Sequence, residues 1–207
     1  MTPADLTGAW RRASIAIGGG PPSEPASVVW LQVGEVYADL RVPLDPAGAQ
    51  ASFAGWTTWE APTLRWIHDL DLDPSGGDDV GTLDRAGDEL VERGTSAGPD
   101  GPVPYTEVWR RLPGSGPPHV ARRREDGLGL LVRTGAHALA VLDERSLGGA
   151  FRACYRTGSD DGWTVALRLG TGADHLPEPP AVDGAPDAAL DGHRWLVATT
   201  PATSAPG

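Results

Sequence analysis

The chain has 207 residues, 40% hydrophobic and 22% charged, with a formal net charge of −11. That balance supports a packed core and excludes a chain disordered throughout. The negative charge argues against a nucleic-acid backbone or an anionic membrane surface as partner, because both reward a basic face. All 17 basic residues are arginine; without lysine there is no Schiff-base chemistry and no P-loop lysine. Arginine, alanine, glycine and proline in place of lysine and asparagine fit a GC-rich bacterial genome. No charged-then-apolar leader and no run of 18 apolar residues occurs, so the expected location is the cytoplasm. Cys154 is the only cysteine, which rules out an intrachain disulfide and reads as a small buried residue.

With 28 Gly and 20 Pro, turn punctuation favours many short elements. Residues 7–17 form a candidate strand ending in Gly-Gly-Gly-Pro-Pro. Residues 27–43 read as one bent strand or as a hairpin broken near Gly34. Residues 51–60 make a strand after a turn. Residues 64–74 alternate, with Leu64, Trp66, His68, Leu70 and Leu72 on one face and Arg65, Asp69, Asp71 and Asp73 on the other. Residues 79–95 give two short strands joined at Ala86-Gly87, and residues 104–113 another. After the GSGPP break come three short pieces between 120 and 146, then a hairpin over 151–170. Residues 174–192 read as a loop with room for one helical turn, residues 193–201 as a last strand, and residues 202–207 as a flexible tail. Such short, regularly spaced strands predict an all-β single domain over residues 1–201, built as an antiparallel barrel or sandwich of about eight to ten strands.

Two patterns favour the barrel. Gly8-Ala9-Trp10 resembles the Gly-x-Trp that opens the first strand of lipocalins. That resemblance implies that Trp10 plugs the closed end and that Arg194, on the final strand, packs on it. The spread of patterns over residues 7–112 is also similar to a small calycin-like family of uncharacterised function known from yeast. There an aromatic–Leu–Asp strand precedes a Gly-Asp/Glu segment and a Glu-x-Trp strand, here Glu107-Val108-Trp109. The second and third lipocalin motifs are missing. The resemblance implies a calycin-like barrel and no particular activity.

In such a barrel the inward residues line a cup for one small ligand. Over residues 36–42, Val36, Ala38, Leu40 and Val42 share one face and Tyr37, Asp39 and Arg41 the other; which face points inward stays open. If the polar set does, Arg41 can bind a carboxylate or enolate, Asp39 orient it, and Tyr37 donate to a carbonyl. If not, the set is a solvated face with an Asp–Arg pair. His68, among apolar neighbours, is either a satisfied core histidine or a neutral general base. Glu107 and, more weakly, Glu92 are further acid–base candidates, or partners of arginines on adjoining strands. Trp56, Trp59, Trp66 and Trp109 offer flat walls for a planar or polycyclic apolar ligand.

No metal site is expected. Asp69, Asp71 and Asp73 have EF-hand spacing, but Pro74 stands where glycine is required and Val80 where glutamate is required. These aspartates read as a solvated outer face. No cofactor is expected, although a haem on a single histidine stays open. Three readings follow. The first is a cofactor-free cyclase, isomerase or dehydratase acting on an apolar carbonyl compound of polyketide or terpenoid type. In it His68, Asp39, Tyr37 and Arg41 are catalytic. The second is a carrier for an apolar ligand. The third is a structural or interaction module that uses an exposed sheet edge and whose barrel interior is filled. The mixed polar ladder favours the first, and a homodimer is compatible with all three.

Overall fold

The computed structural model describes residues 1–98, 101–179 and 188–199. The first eight strands close into an antiparallel barrel in chain order: β1 (Gly8–Ile17), β2 (Ala26–Val33), β3 (Val36–Pro43), β4 (Ala51–Glu60), β5 (Thr63–Asp71), β6 (Asp79–Ala86), β7 (Glu89–Ser96) and β8 (Val103–Arg111). Residues 27–43 are therefore a hairpin that turns at Gly34, with Trp30 paired to Asp39 across it. The expected all-β barrel is present, and all eight of its strands lie before residue 112.

The later strands build a second sheet: β9 (His119–Arg124), β10 (Gly129–Thr134), β11 (His137–Asp143), β12 (Phe151–Ser159), β13 (Gly162–Leu169), β14 (Ala188–Leu190) and β15 (His193–Val197). They run in the order β13-β12-β11-β10-β9-β15-β14. Part of the expected loop at 174–192 is thus the strand β14, which pairs with β15. The expected tail, residues 202–207, lies outside the described residues.

The second sheet packs on the outside of the barrel and so decides which way β3 faces. Val36, Ala38 and Leu40 pack outward with Leu31 and Ala54 against Leu130, Val132, Leu139 and Val141. With the apolar face of β3 covered from outside, Tyr37, Asp39 and Arg41 are left for the lumen. The choice left open by the alternation is settled by this covering sheet.

One register expectation fails. Leu64, Trp66 and His68 share a face as read, but Leu70 pairs with Ala54 and packs toward the second sheet with Leu72 beside it. The ladder shifts between Ala54 and Gly55, so that Gly55 pairs with His68 and Asp69 is the extra residue of a β-bulge. A bulge reverses the side-chain alternation beyond it. Gly55 permits it: a Cβ there would stand 2.1 Å from the Ile67 carbonyl oxygen. As a result Asp71 returns to the face of His68.

Candidate functional site

The barrel is stoppered at one end. Leu6, from a short 3-10 helix (Pro3–Leu6), and Trp10 are fully buried there, and the Trp10 indole N–H donates to the Leu6 carbonyl at 2.8 Å. The arginine that covers this indole is Arg111, whose guanidinium carbon lies 4.8 Å from the ring centre. Arg194, expected in that place, is on the second sheet and pairs with Glu125. The chain crosses into the second sheet before its last strand, so the final barrel strand is β8.

Above the stopper, Trp30 meets Trp66 edge-on at 5.8 Å and Trp109 at 5.5 Å. A small cavity remains among Trp30, Trp66, Trp109, Phe53, Asp39, Arg41, Asp79 and Glu92. Its volume is about 10 Å³, which is room for roughly one water molecule. This corrects the expectation of a hollow cup for a polycyclic guest: the tryptophans fill most of the lumen and wall only this small remainder. Trp56 does not belong to it at all. It points outward, with the Arg123 guanidinium 4.9 Å from its ring. Trp59 packs at the edge of the lumen cluster and does not line the cavity.

The polar lining is dense for so small a space. Arg41 Nε donates to Asp39 Oδ1 at 2.8 Å, and its guanidinium covers the Phe53 ring at 4.8 Å. Burial pushes the Asp39 carboxyl up, against the pull of Arg41. Glu92 accepts from the Tyr105 hydroxyl at 2.7 Å and from the Trp109 indole N–H at 3.0 Å. Burial, with Glu107 paired directly across the strands, pushes the Glu92 carboxyl up to about 8. Gly81 makes room for it, since a Cβ there would come within 3.1 Å of the Glu92 side chain. Glu107 points into the lumen beside Glu92 but does not line the cavity; it accepts from Arg12 Nη1 at 2.5 Å, while Nε and Nη2 of Arg12 bond to Glu24 at 3.0 Å each. The mouth opens where Arg41 and Asp79 reach solvent, with side chains 29% and 44% exposed.

Tyr37 and His68 flank the cavity without lining it. The Tyr37 hydroxyl is buried and donates to the Ile67 carbonyl at 3.3 Å, so the expected donor to a substrate carbonyl is already engaged. A buried hydroxyl needs a partner, and the backbone supplies it. His68 stacks on Phe53 at 4.2 Å. Its Nδ1 lies 2.6 Å from Asp71 Oδ2, and its Nε2 is buried without a hydrogen-bond partner, 3.8 Å from Asp79 Oδ2. A carboxylate on Nδ1 takes a hydrogen there and orients the ring, which leaves Nε2 turned away from Asp71.

Asp71, expected on a solvated outer face, instead meets His68, and Asp79, Trp30, Phe53 and Arg12 join the lumen with no such expectation from the sequence. Trp30 was within reach of sequence reasoning, since its place opposite Asp39 follows from a two-residue hairpin at Gly34-Glu35. Asp71 was not, because the bulge hides its direction. Among the described residues no group of three or more His, Cys, Asp or Glu could hold a metal ion. No helix among them is long and apolar enough to cross a membrane.

These features define a closed eight-stranded barrel with an aromatic and charged lumen, backed by a second antiparallel sheet. The chain belongs to the HRI1 family, whose model, described as Protein HRI1, matches residues 9–198. A solved structure with the same fold is that of the uncharacterized protein YLR301w from Saccharomyces cerevisiae. The two agree with a TM-score of 0.74 at 16% identity, over 94% of this chain and 99% of that one. Identity this low carries the fold and no more. No curated protein matches the chain.

Proposed function

We propose that this protein is a small-molecule-binding barrel whose ligand presents a small cationic head, such as a primary or methylated ammonium, at the mouth of the lumen. The carrying observation is the composition of the cavity wall: three tryptophans and a phenylalanine with Asp39, Asp79 and Glu92 against the single cation Arg41. Aromatic faces and carboxylates together favour a desolvated cation. The volume suits an ammonium-sized group and excludes the apolar polycyclic ligand expected from the tryptophan count. Glu92, carrying its proton at neutral pH, can release it when a cation enters.

Titration calorimetry with methylammonium, in buffers of different ionisation enthalpy, tests the reading. Binding below pH 8 should release a proton, and Glu92→Gln should abolish that release and weaken binding. Equal binding of methanol, or an unchanged proton count in the variant, would remove the cation from the reading.

A second reading, proton transfer on a carbonyl compound, is favoured by one observation: the free, buried Nε2 of His68 with Asp71 behind it. It keeps the isomerase or dehydratase chemistry expected from the sequence but requires a substrate reacting at the mouth, beside Asp79. Trapping metabolites on the purified protein and comparing His68→Gln for their turnover separates the two readings. Ligands recovered unchanged by both forms favour binding alone.

A further inference from the structure

A second cavity lies outside the barrel, where β1 and β2 part. Their ladder ends at Arg11 paired with Val29, and after the bulge at Ala13 only a bridge between Ile15 and Ser23 rejoins them. The gap in the wall is closed from within by the Arg12–Glu24 pair. Outside it lies a cleft of about 530 Å³, continuous through Arg11, Ser27 and Leu112 with one of about 220 Å³ that runs toward Tyr155 and Leu167 of the second sheet. Volumes of this order suit a metabolite-sized ligand.

The lining is amphiphilic, and its charge is opposite to that of the whole molecule. Arg11, Arg12, Arg110 and Arg111 contribute to it, against Glu24 alone. Three of these arginines are engaged: Arg12 with Glu24 and Glu107, Arg110 with Glu89, and Arg111 with the Thr7 carbonyl and the Trp10 ring. Arg11 is exposed, and among the described residues it makes no hydrogen bond or ion pair, its charge bearing only on the Tyr155 hydroxyl. Leu44, 66% exposed, stands at the same cleft, and Leu112 and Leu167 continue the apolar path. One free guanidinium at the head of an apolar trough matches one singly charged carboxylate on an apolar tail, because the guanidinium fork pairs with both carboxylate oxygens.

We propose that the cleft between β1, β2 and β13 binds an amphiphilic carboxylate, a fatty-acid-like chain whose head pairs with Arg11 and whose tail lies along Leu112 and Leu167. The site is independent of the lumen. Calorimetry of the full chain with decanoate, below its micelle concentration, should give saturable one-to-one binding. Decanol should bind more weakly. Arg11→Ala should weaken decanoate roughly fivefold and leave decanol unchanged, as expected for one partly exposed ion pair. Leu44→Ser should weaken both. Arg11 is exposed and engaged in no hydrogen bond or ion pair among the described residues, so the variant should unfold at the wild-type temperature and bind methylammonium normally. Absence of saturable binding, equal affinity for decanoate and decanol, or decanoate binding indifferent to Arg11→Ala would each overturn the assignment. So would Arg11-dependent binding of a glutamate-rich peptide without decanoate binding, which would make the cleft a protein-docking groove.

Discussion

Between the two sheets, Leu31, Leu40, Leu130, Leu139 and Val141 meet in a largely apolar layer, which also holds the buried His137–Tyr155 hydrogen bond and, partly exposed, the Arg123–Asp69 pair. Inside the barrel, at the same depth, Arg12, Asp39, Glu92 and Glu107 lie among Trp10, Trp30 and Trp109. The inter-sheet layer is what hydrophobic burial alone would build. The lumen is not, because every buried charge there must be offset by a partner. A protein that needed only a filled barrel has no physical reason to hold these four ionisable groups in it. The contrast separates the region that holds the fold from the region to which the proposed binding is assigned.

The largest expected effect comes from breaking the lumen's charge balance. Arg12→Ala leaves Glu107 and Glu24 without their cation and should cost about 3–5 kcal/mol in urea unfolding. Replacing Arg12, Glu24 and Glu107 together with methionine and leucines should be neutral or stabilising. If the triple variant were as damaged as the single one, the network would be part of the fold's support and the contrast would fail. In the inter-sheet layer Leu139→Ala should cost about 2–5 kcal/mol through the cavity it leaves, and it should leave methylammonium binding intact.

Next in size is Gly55→Ala, whose Cβ collides with the Ile67 carbonyl across the bulge. A cost of about 1–3 kcal/mol in urea unfolding is expected, together with loss of the Asp71–His68 hydrogen bond in the histidine's NMR signals, because the bulge is what returns Asp71 to His68. The same position shows how much was legible beforehand. Strand alternation and turn residues sufficed for the barrel strands and for their hairpin at Gly34. Alternation also brought Asp39, Arg41, Trp66, Glu92 and Trp109 into the candidate set, and these five do line the cavity. It could not show which face of β3 turns inward, since that depends on a sheet formed some 90 residues later in the chain. Nor could it show that Asp69 is inserted, which moved Leu70 out and Asp71 in. Gly55, within a strand of bulky residues, was the one available sign of a close backbone approach.

Glu92 gives the effect most specific to the lumen, small at any one pH step. A glutamate in the unfolded chain titrates near 4.5, whereas burial and Glu107 hold the folded carboxyl at about 8. Between these values the folded state keeps a proton that the unfolded state has lost. Stability therefore falls as pH rises, by up to about 1.4 kcal/mol per pH unit, and levels off above about 8. Asp39, also raised by burial, adds to the same fall over the lower part of the range. The second sheet titrates the other way: Asp126 and Glu144, lowered by Arg124, and Asp143, lowered by Arg145, lose their contribution only as pH drops through their depressed range. Glu92→Gln has no proton to keep, so its stability relative to the wild type should rise steadily from pH 5 to 8. A parallel pair of pH profiles for the two forms would place the proton elsewhere and would remove Glu92 as the group through which the lumen senses a cation.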